Sequence, residues 1–72
     1  MDLIKQNFGE NLQRIRQSKR ITQAVLAQMV GVDIRQIGRL ECGASFVSCN
    51  TLYKICLALN IKPSALFDFD IN

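Results

Sequence analysis

The tetrapeptide VGVD at residues 30–33 limits the fold more than any other stretch of this 72-residue chain. Leu26 and Val30 on one side, and Ile37 and Leu40 on the other, are apolar positions at helical spacing. Gly31 stands where a helix end commonly needs a residue that tolerates a left-handed backbone, and Asp33 is a strong N-cap for the segment that follows. One helix therefore ends and another begins within three residues. Helices joined so tightly cross at a steep angle, which requires a small side chain at their closest approach and a positive dihedral in the turn. Ala27 and Gly31 meet these requirements, and Leu26, Val30, Val32, Ile37 and Leu40 fall on the inside of the resulting helix-turn-helix.

The same rules extend to both ends of the chain. Leu3, Ile4, Phe8, Leu12 and Ile15 predict an amphipathic first helix from about Leu3 to Ser18. Thr22 caps a second helix that runs to about Val30. The third spans about Ile34 to Glu41, with Gln36 three residues after Asp33 as in a capping box and Gly43 at its end. After the loop GASFVS, Ser48 caps a fourth helix that turns Leu52, Ile55, Cys56 and Leu59 inward and stops near Asn60. Pro63 fits the first position of a short fifth helix, PSALF, because its missing N–H and fixed φ suit a helix start. Strand signals are nearly absent and no repeat or linker divides the sequence. Residues 1–72 thus read as one all-α domain of five short helices.

Composition narrows the function classes. At 49% hydrophobic residues the chain is too apolar to be disordered, and its charges interrupt any membrane-spanning run. The stretch MDLIKQNFGENLQ has no secretory pattern, so a cytoplasmic location is expected. Cys42, Cys49 and Cys56 form no CxxC pair and histidine is absent, so no metal or other cofactor is expected and the thiols should be free, Cys56 in the core. Without histidine, paired carboxylates or a phosphate-binding glycine loop, no catalytic constellation can be assembled, and the chain is not expected to be an enzyme. The net charge is only +3, but seven of the nine basic residues (Lys5, Arg14, Arg16, Lys19, Arg20, Arg35 and Arg39) precede Leu40, while Asp68 and Asp70 lie in the tail. That asymmetry favours an anionic partner for the N-terminal half.

The segments LQRIR, TQAVLAQMVGV, IGRLECG and LYKICLALNIKPSALF together resemble the lambda-repressor-like, Cro/C1-type (XRE) helix-turn-helix family over about residues 8–67, leaving 68–72 as a tail. The resemblance implies a five-helix domain that binds double-stranded DNA, in most members as a dimer on a two-fold symmetric operator. By position it implies a recognition helix at 33–41, with Ile34, Arg35, Gly38 and Arg39 facing base edges and Gln36 close by. Arginine donates two hydrogen bonds to guanine O6 and N7, and Ile34 is suited to a thymine methyl. For Gln36 two uses compete, a capping contact to the Asp33 backbone and adenine reading, the cap being favoured. Thr22 and Gln23, with Lys19 and Arg20 beside them, are the implied phosphate site at the start of the second helix. Arg16 and Glu41 match a family pair that forms an internal salt bridge.

Three positions depart from the family pattern. Arg20 stands where glycine is common, Val25 replaces a glutamate that would complete a capping box, and the loop CGASFVS lacks the usual phosphate-gripping polar residues. Phe46 and Val47 of that loop, with Phe67, Phe69 and Ile71 of the tail, offer apolar surface suited to a homodimer interface. The expected function is a sequence-specific transcriptional regulator, a repressor by preference. A restriction-modification controller and an antitoxin share this scaffold, so a polymerase or a toxin is a conceivable protein partner. A protein-interaction module that does not use DNA is the alternative from another class.

Overall fold

Helix boundaries in this chain are set by side chains that receive the unpaired N–H groups of the first turn. The computed structural model describes residues 2–71, and its helices are α1 (Leu3–Ser18), α2 (Gln23–Val30), α3 (Ile34–Glu41), α4 (Cys49–Leu59) and α5 (Pro63–Leu66). Asp2 accepts the N–H groups of Ile4 and Lys5, Thr22 that of Val25, Asp33 that of Arg35 and Ser48 that of Thr51. Such caps stabilise a helix by about 0.5–2 kcal/mol each. Pro63 opens α5. No strand is formed among the described residues.

The capping box expected at Asp33 does not form, because Asp33 directs its carboxylate to Arg35 instead of the third helical position. The Gln36 N–H is satisfied by the Asp33 carbonyl at 2.9 Å, and the Gln36 side chain makes no return bond to Asp33.

The C-terminal ends of α1, α2 and α4 each carry a left-handed residue: Arg20 at φ 58°, Gly31 at φ 82° and Asn60 at φ 55°. At α1 the N–H of Ile21 reaches the Arg16 carbonyl and that of Arg20 the Gln17 carbonyl, the paired closure of a Schellman motif. An arginine therefore sustains the geometry usually left to glycine.

Phe8 and Leu12 of α1, Leu26 and Val30 of α2, Ile37 and Leu40 of α3, Ile55 and Leu59 of α4 and Leu66 of α5 meet in one core. Each fully buried side chain of this size contributes about 1.5–3 kcal/mol. Buried Asn11 donates from Nδ2 to the carbonyls of Leu66 and Asp68, fastening the chain after α5 to α1. At Gly9, α1 meets the end of α3 so closely that a Cβ would collide with the Leu40 carbonyl oxygen and lie 2.6 Å from that of Glu41.

Beside this contact lies the one buried ion pair among the described residues. Arg16 Nε donates to Glu41 Oε2 at 2.6 Å and Arg16 Nη2 to Glu41 Oε1 at 3.1 Å, the side chains being 9% and 3% exposed. Arg16 Nη1 donates to the Ile21 carbonyl at 2.7 Å, and Gln23 Nε2 donates to Glu41 Oε1 at 2.9 Å. The network joins α1, the α1–α2 turn, the start of α2 and the end of α3. No buried side-chain polar atom lacks a partner among the described residues.

Two stability measurements follow from these contacts. Removing one member of a buried ion pair strands the other charge, a loss of about 3–5 kcal/mol, so Arg16→Ala and Glu41→Ala should both lower the thermal melting temperature steeply. A Glu41→Ala melt equal to that of the parent would contradict the role assigned to the pair. Arg20→Gly should move the melt upward, since a left-handed L-residue costs about 1–2 kcal/mol that glycine avoids.

Candidate nucleic-acid interface

Eight residues of α3 are divided by the helical period into an inner and an outer set. Ile37, Leu40 and Glu41 are buried, whereas Ile34, Arg35 and Arg39 are exposed and Gln36 and Gly38 lie half-buried between them. The outer set borders a shallow hollow of about 490 Å³ lined by Asp33, Arg35, Gln36, Gly38, Arg39 and Cys42. A Cβ added at Gly38 would meet nothing within 4 Å apart from its chain neighbours and the backbone of its own helix, so no side chain covers the helix there. Arg35 and Arg39 are four residues apart and project from one side of the helix. The Asp33 carboxyl is held below its ordinary range chiefly by the Arg35 side-chain hydrogen bond, then by the Arg35 backbone N–H, with a smaller pull from the Arg39 charge.

The start of α2 supplies a second cationic region. Thr22 covers the Val25 N–H, while the N–H groups of Gln23 and Ala24 have no acceptor among the described residues. Free N–H groups and the positive end of a helix dipole attract anions. Lys19 and Arg20, both exposed, precede this terminus. The Gln23 side chain is partly engaged within the protein. One of its amide hydrogens is taken by Glu41, because that buried carboxylate has a lone pair left after Arg16 has bonded. The other hydrogen and the carbonyl oxygen of the amide remain.

The five apolar residues singled out for an interface do not form one uniform patch. Phe8, Phe46 and Phe67 are mutual neighbours with ring centroids 5.1–6.2 Å apart, so the latter two rings cover the core as well as facing solvent. Val47 packs on the core and Phe69 tilts against Phe67. Ile71 is 72% exposed. A second apolar area escaped the sequence analysis: Tyr53 and Leu57, one turn apart on α4, are 64% and 62% exposed, and Met29 of α2 is 51% exposed. The signal was present in the spacing, since Tyr53 and Leu57 occupy the phase of α4 opposite Ile55 and Leu59, where polar residues are usual. Cys42 and Cys49 are exposed free thiols, and burial pushes the Cys56 thiol up from its ordinary pKa. Among the described residues, no group of three potential ligands is placed to hold a metal ion, and no helix is long and apolar enough to cross a membrane.

Comparison with known proteins places this geometry among DNA-binding regulators. Residues 11–70 match the Cro/C1-type HTH DNA-binding domain. The chain is 36% identical to the restriction-modification controller protein C.AhdI of Aeromonas hydrophila, with a TM-score of 0.82 over 85% of this chain and 92% of that one. The clp gene regulator ClgR of Corynebacterium glutamicum superposes with a TM-score of 0.85 at 28% identity, over 90% of this chain and 69% of that one. An uncharacterized HTH-type transcriptional regulator of Sinorhizobium fredii, y4wC, is 27% identical over 66 residues, which are 92% of this chain. This chain spans about half the length of that relative, 46%. With five helices among the described residues, a three-residue turn between α2 and α3 and a sequence match over residues 11–70, the chain belongs to the Cro/C1-type helix-turn-helix DNA-binding family.

Proposed function

We propose that this chain is a repressor that binds a palindromic operator as a homodimer, with α3 of each copy in a major groove. The observation that carries the proposal is the division of α3. Its inner face is fixed by Ile37, Leu40 and the Arg16–Glu41 pair, and its outer face presents Arg35 and Arg39 around a bare backbone at Gly38. Arg35 and Arg39 read guanines and Ile34 touches a thymine methyl, while Gln36, free of any capping bond, is available to an adenine. Lys19, Arg20, Thr22 and Gln23 meet phosphates, Gln23 through its backbone N–H and its remaining amide hydrogen. Repression needs no further surface than the one that occupies the operator. The working compartment is the one that holds the chromosome, the bacterial cytoplasm.

A single α3 contacts too few base pairs for a specific site, whereas two related by a dyad read half-sites about 34 Å apart. The exposed parts of Phe46, Phe67 and Ile71, with Val47 and Phe69 behind them, form the proposed contact between copies. A restriction-modification controller is the second reading. It is favoured by the match to C.AhdI, which spans 92% of that protein and therefore leaves little of it unaccounted for.

Selection of bound duplexes from a random pool is expected to return a palindrome. An unenriched pool, or binding to random duplex that is insensitive to salt and to Arg35→Ala, would instead indicate a protein-interaction module. On the selected site Arg39→Ala should weaken binding by about tenfold to a hundredfold, the size of a lost bidentate base contact, with an unchanged melt. Lys19→Ala should weaken all sequences alike and reduce the salt dependence by about one phosphate contact.

Light scattering should give the mass of two chains, and Ile71→Asp should reduce it to one. A dimer that survives Ile71→Asp but dissociates with Leu57→Asp would place the interface on α4 instead.

A further inference from the structure

Asp33 does more than start α3. Its Oδ1 accepts the Arg35 backbone N–H at 2.8 Å and the Arg35 Nε–H at 3.2 Å, and its Oδ2 accepts from Arg35 Nη2 at 3.3 Å. The two side chains are 55% and 85% exposed. An ion pair so fully hydrated contributes little to folding, and the cap itself is complete with the backbone bond alone. The side-chain bonds therefore call for another explanation.

That explanation lies in the geometry of the guanidinium, a rigid plane with five N–H donors. Asp33 occupies the edge formed by Nε and Nη2. The edge formed by Nη1 and Nη2 stays free, with its plane set by the carboxylate. Two parallel donors on one edge are what guanine O6 and N7 accept. An unrestrained arginine of this exposure samples many rotamers and reaches phosphates as well as bases. A carboxylate beside it is repelled by phosphates and disfavours those alternatives, so it keeps the fork directed at the bases.

We propose that Asp33 is a specificity-determining residue that acts through Arg35, orienting its free guanidinium edge for guanine and restraining it from the phosphate backbone. This rests on the assignment of α3 as the base-reading helix.

The test is selection from a randomised duplex pool by the full chain and by its Arg35→Ala, Asp33→Ser and Asp33→Asn variants, with thermal melts of each. Serine and asparagine are both good N-caps, so the variants should melt close to the parent. The parent should show a guanine preference that Arg35→Ala erases. Asp33→Ser should weaken that same preference by about tenfold, spare the position read by Arg39, and bind a fixed random-sequence duplex at least as tightly as the parent. Asp33→Asn keeps one acceptor for Nε and should fall between. If Asp33 only capped, Asp33→Ser and Asp33→Asn would leave both the melt and the guanine preference as in the parent. The proposal is overturned if Asp33→Ser retains the full guanine preference, or if Arg35→Ala erases none from an enriched parent site. A parent pool with no enriched position at all would remove the base-reading assignment itself, and this proposal with it.

Discussion

The bond between Arg16 and Glu41 is the constraint on which the placement of α3 depends. Two charges taken out of water are costly, and they are retained only when every donor and acceptor is answered. Here every guanidinium nitrogen and carboxylate oxygen has a partner: Arg16 uses Nε and Nη2 on the carboxylate and Nη1 on the Ile21 carbonyl, while Glu41 also accepts from Gln23. Because those partners come from α1, the α1–α2 turn and α2, the pair can be satisfied in only one mutual arrangement of three elements. Gly9 supplies the clearance, since a Cβ there would collide with the Leu40 and Glu41 carbonyls and force the backbone of α1 or α3 to shift.

Fixing one face of α3 determines what the other can do. Arg16, Arg35 and Arg39 are the same residue type with different fates. Arg16 is buried against a carboxylate, Arg39 stands free on the outer face, and Arg35 is steered by a carboxylate in solvent. Electrostatics differs accordingly: the buried pair is a structural tie, and the exposed one leaves most of its donors available. A modest net charge of +3 is therefore a poor guide to the surface that meets an anion.

Apolar surface is apportioned in a similar way. A small domain has few side chains with which to close its core, and Phe46 and Phe67 are drawn onto Phe8 for that purpose while retaining an exposed edge. Asn11 extends this closure by holding the carbonyls of Leu66 and Asp68. Tyr53, Leu57 and Met29 have no such duty and lie open.

What could be read from the sequence was local. Thr22, Asp33, Ser48 and Pro63 marked the helix starts, and Gly31 the turn, because caps and left-handed closures act over four residues or fewer and leave the same signature wherever they occur. The inner positions of α3 and the five-helix order followed from spacing. The Arg16–Glu41 pair entered only through a family resemblance, as no rule of spacing links residues 25 apart. Tertiary structure alone decided that Gly9 is a contact point and that the Gln23 amide turns to Glu41, whereas the grip of Asp33 on the Arg35 fork and the uncapped Gln36 are local choices among partners that spacing left open. For the long-range contacts the physical reason is packing, which brings α1 against the end of α3 and Gln23 within reach of Glu41. A polar side chain takes the strongest partner within reach, and which partners are within reach is settled by how the helices pack.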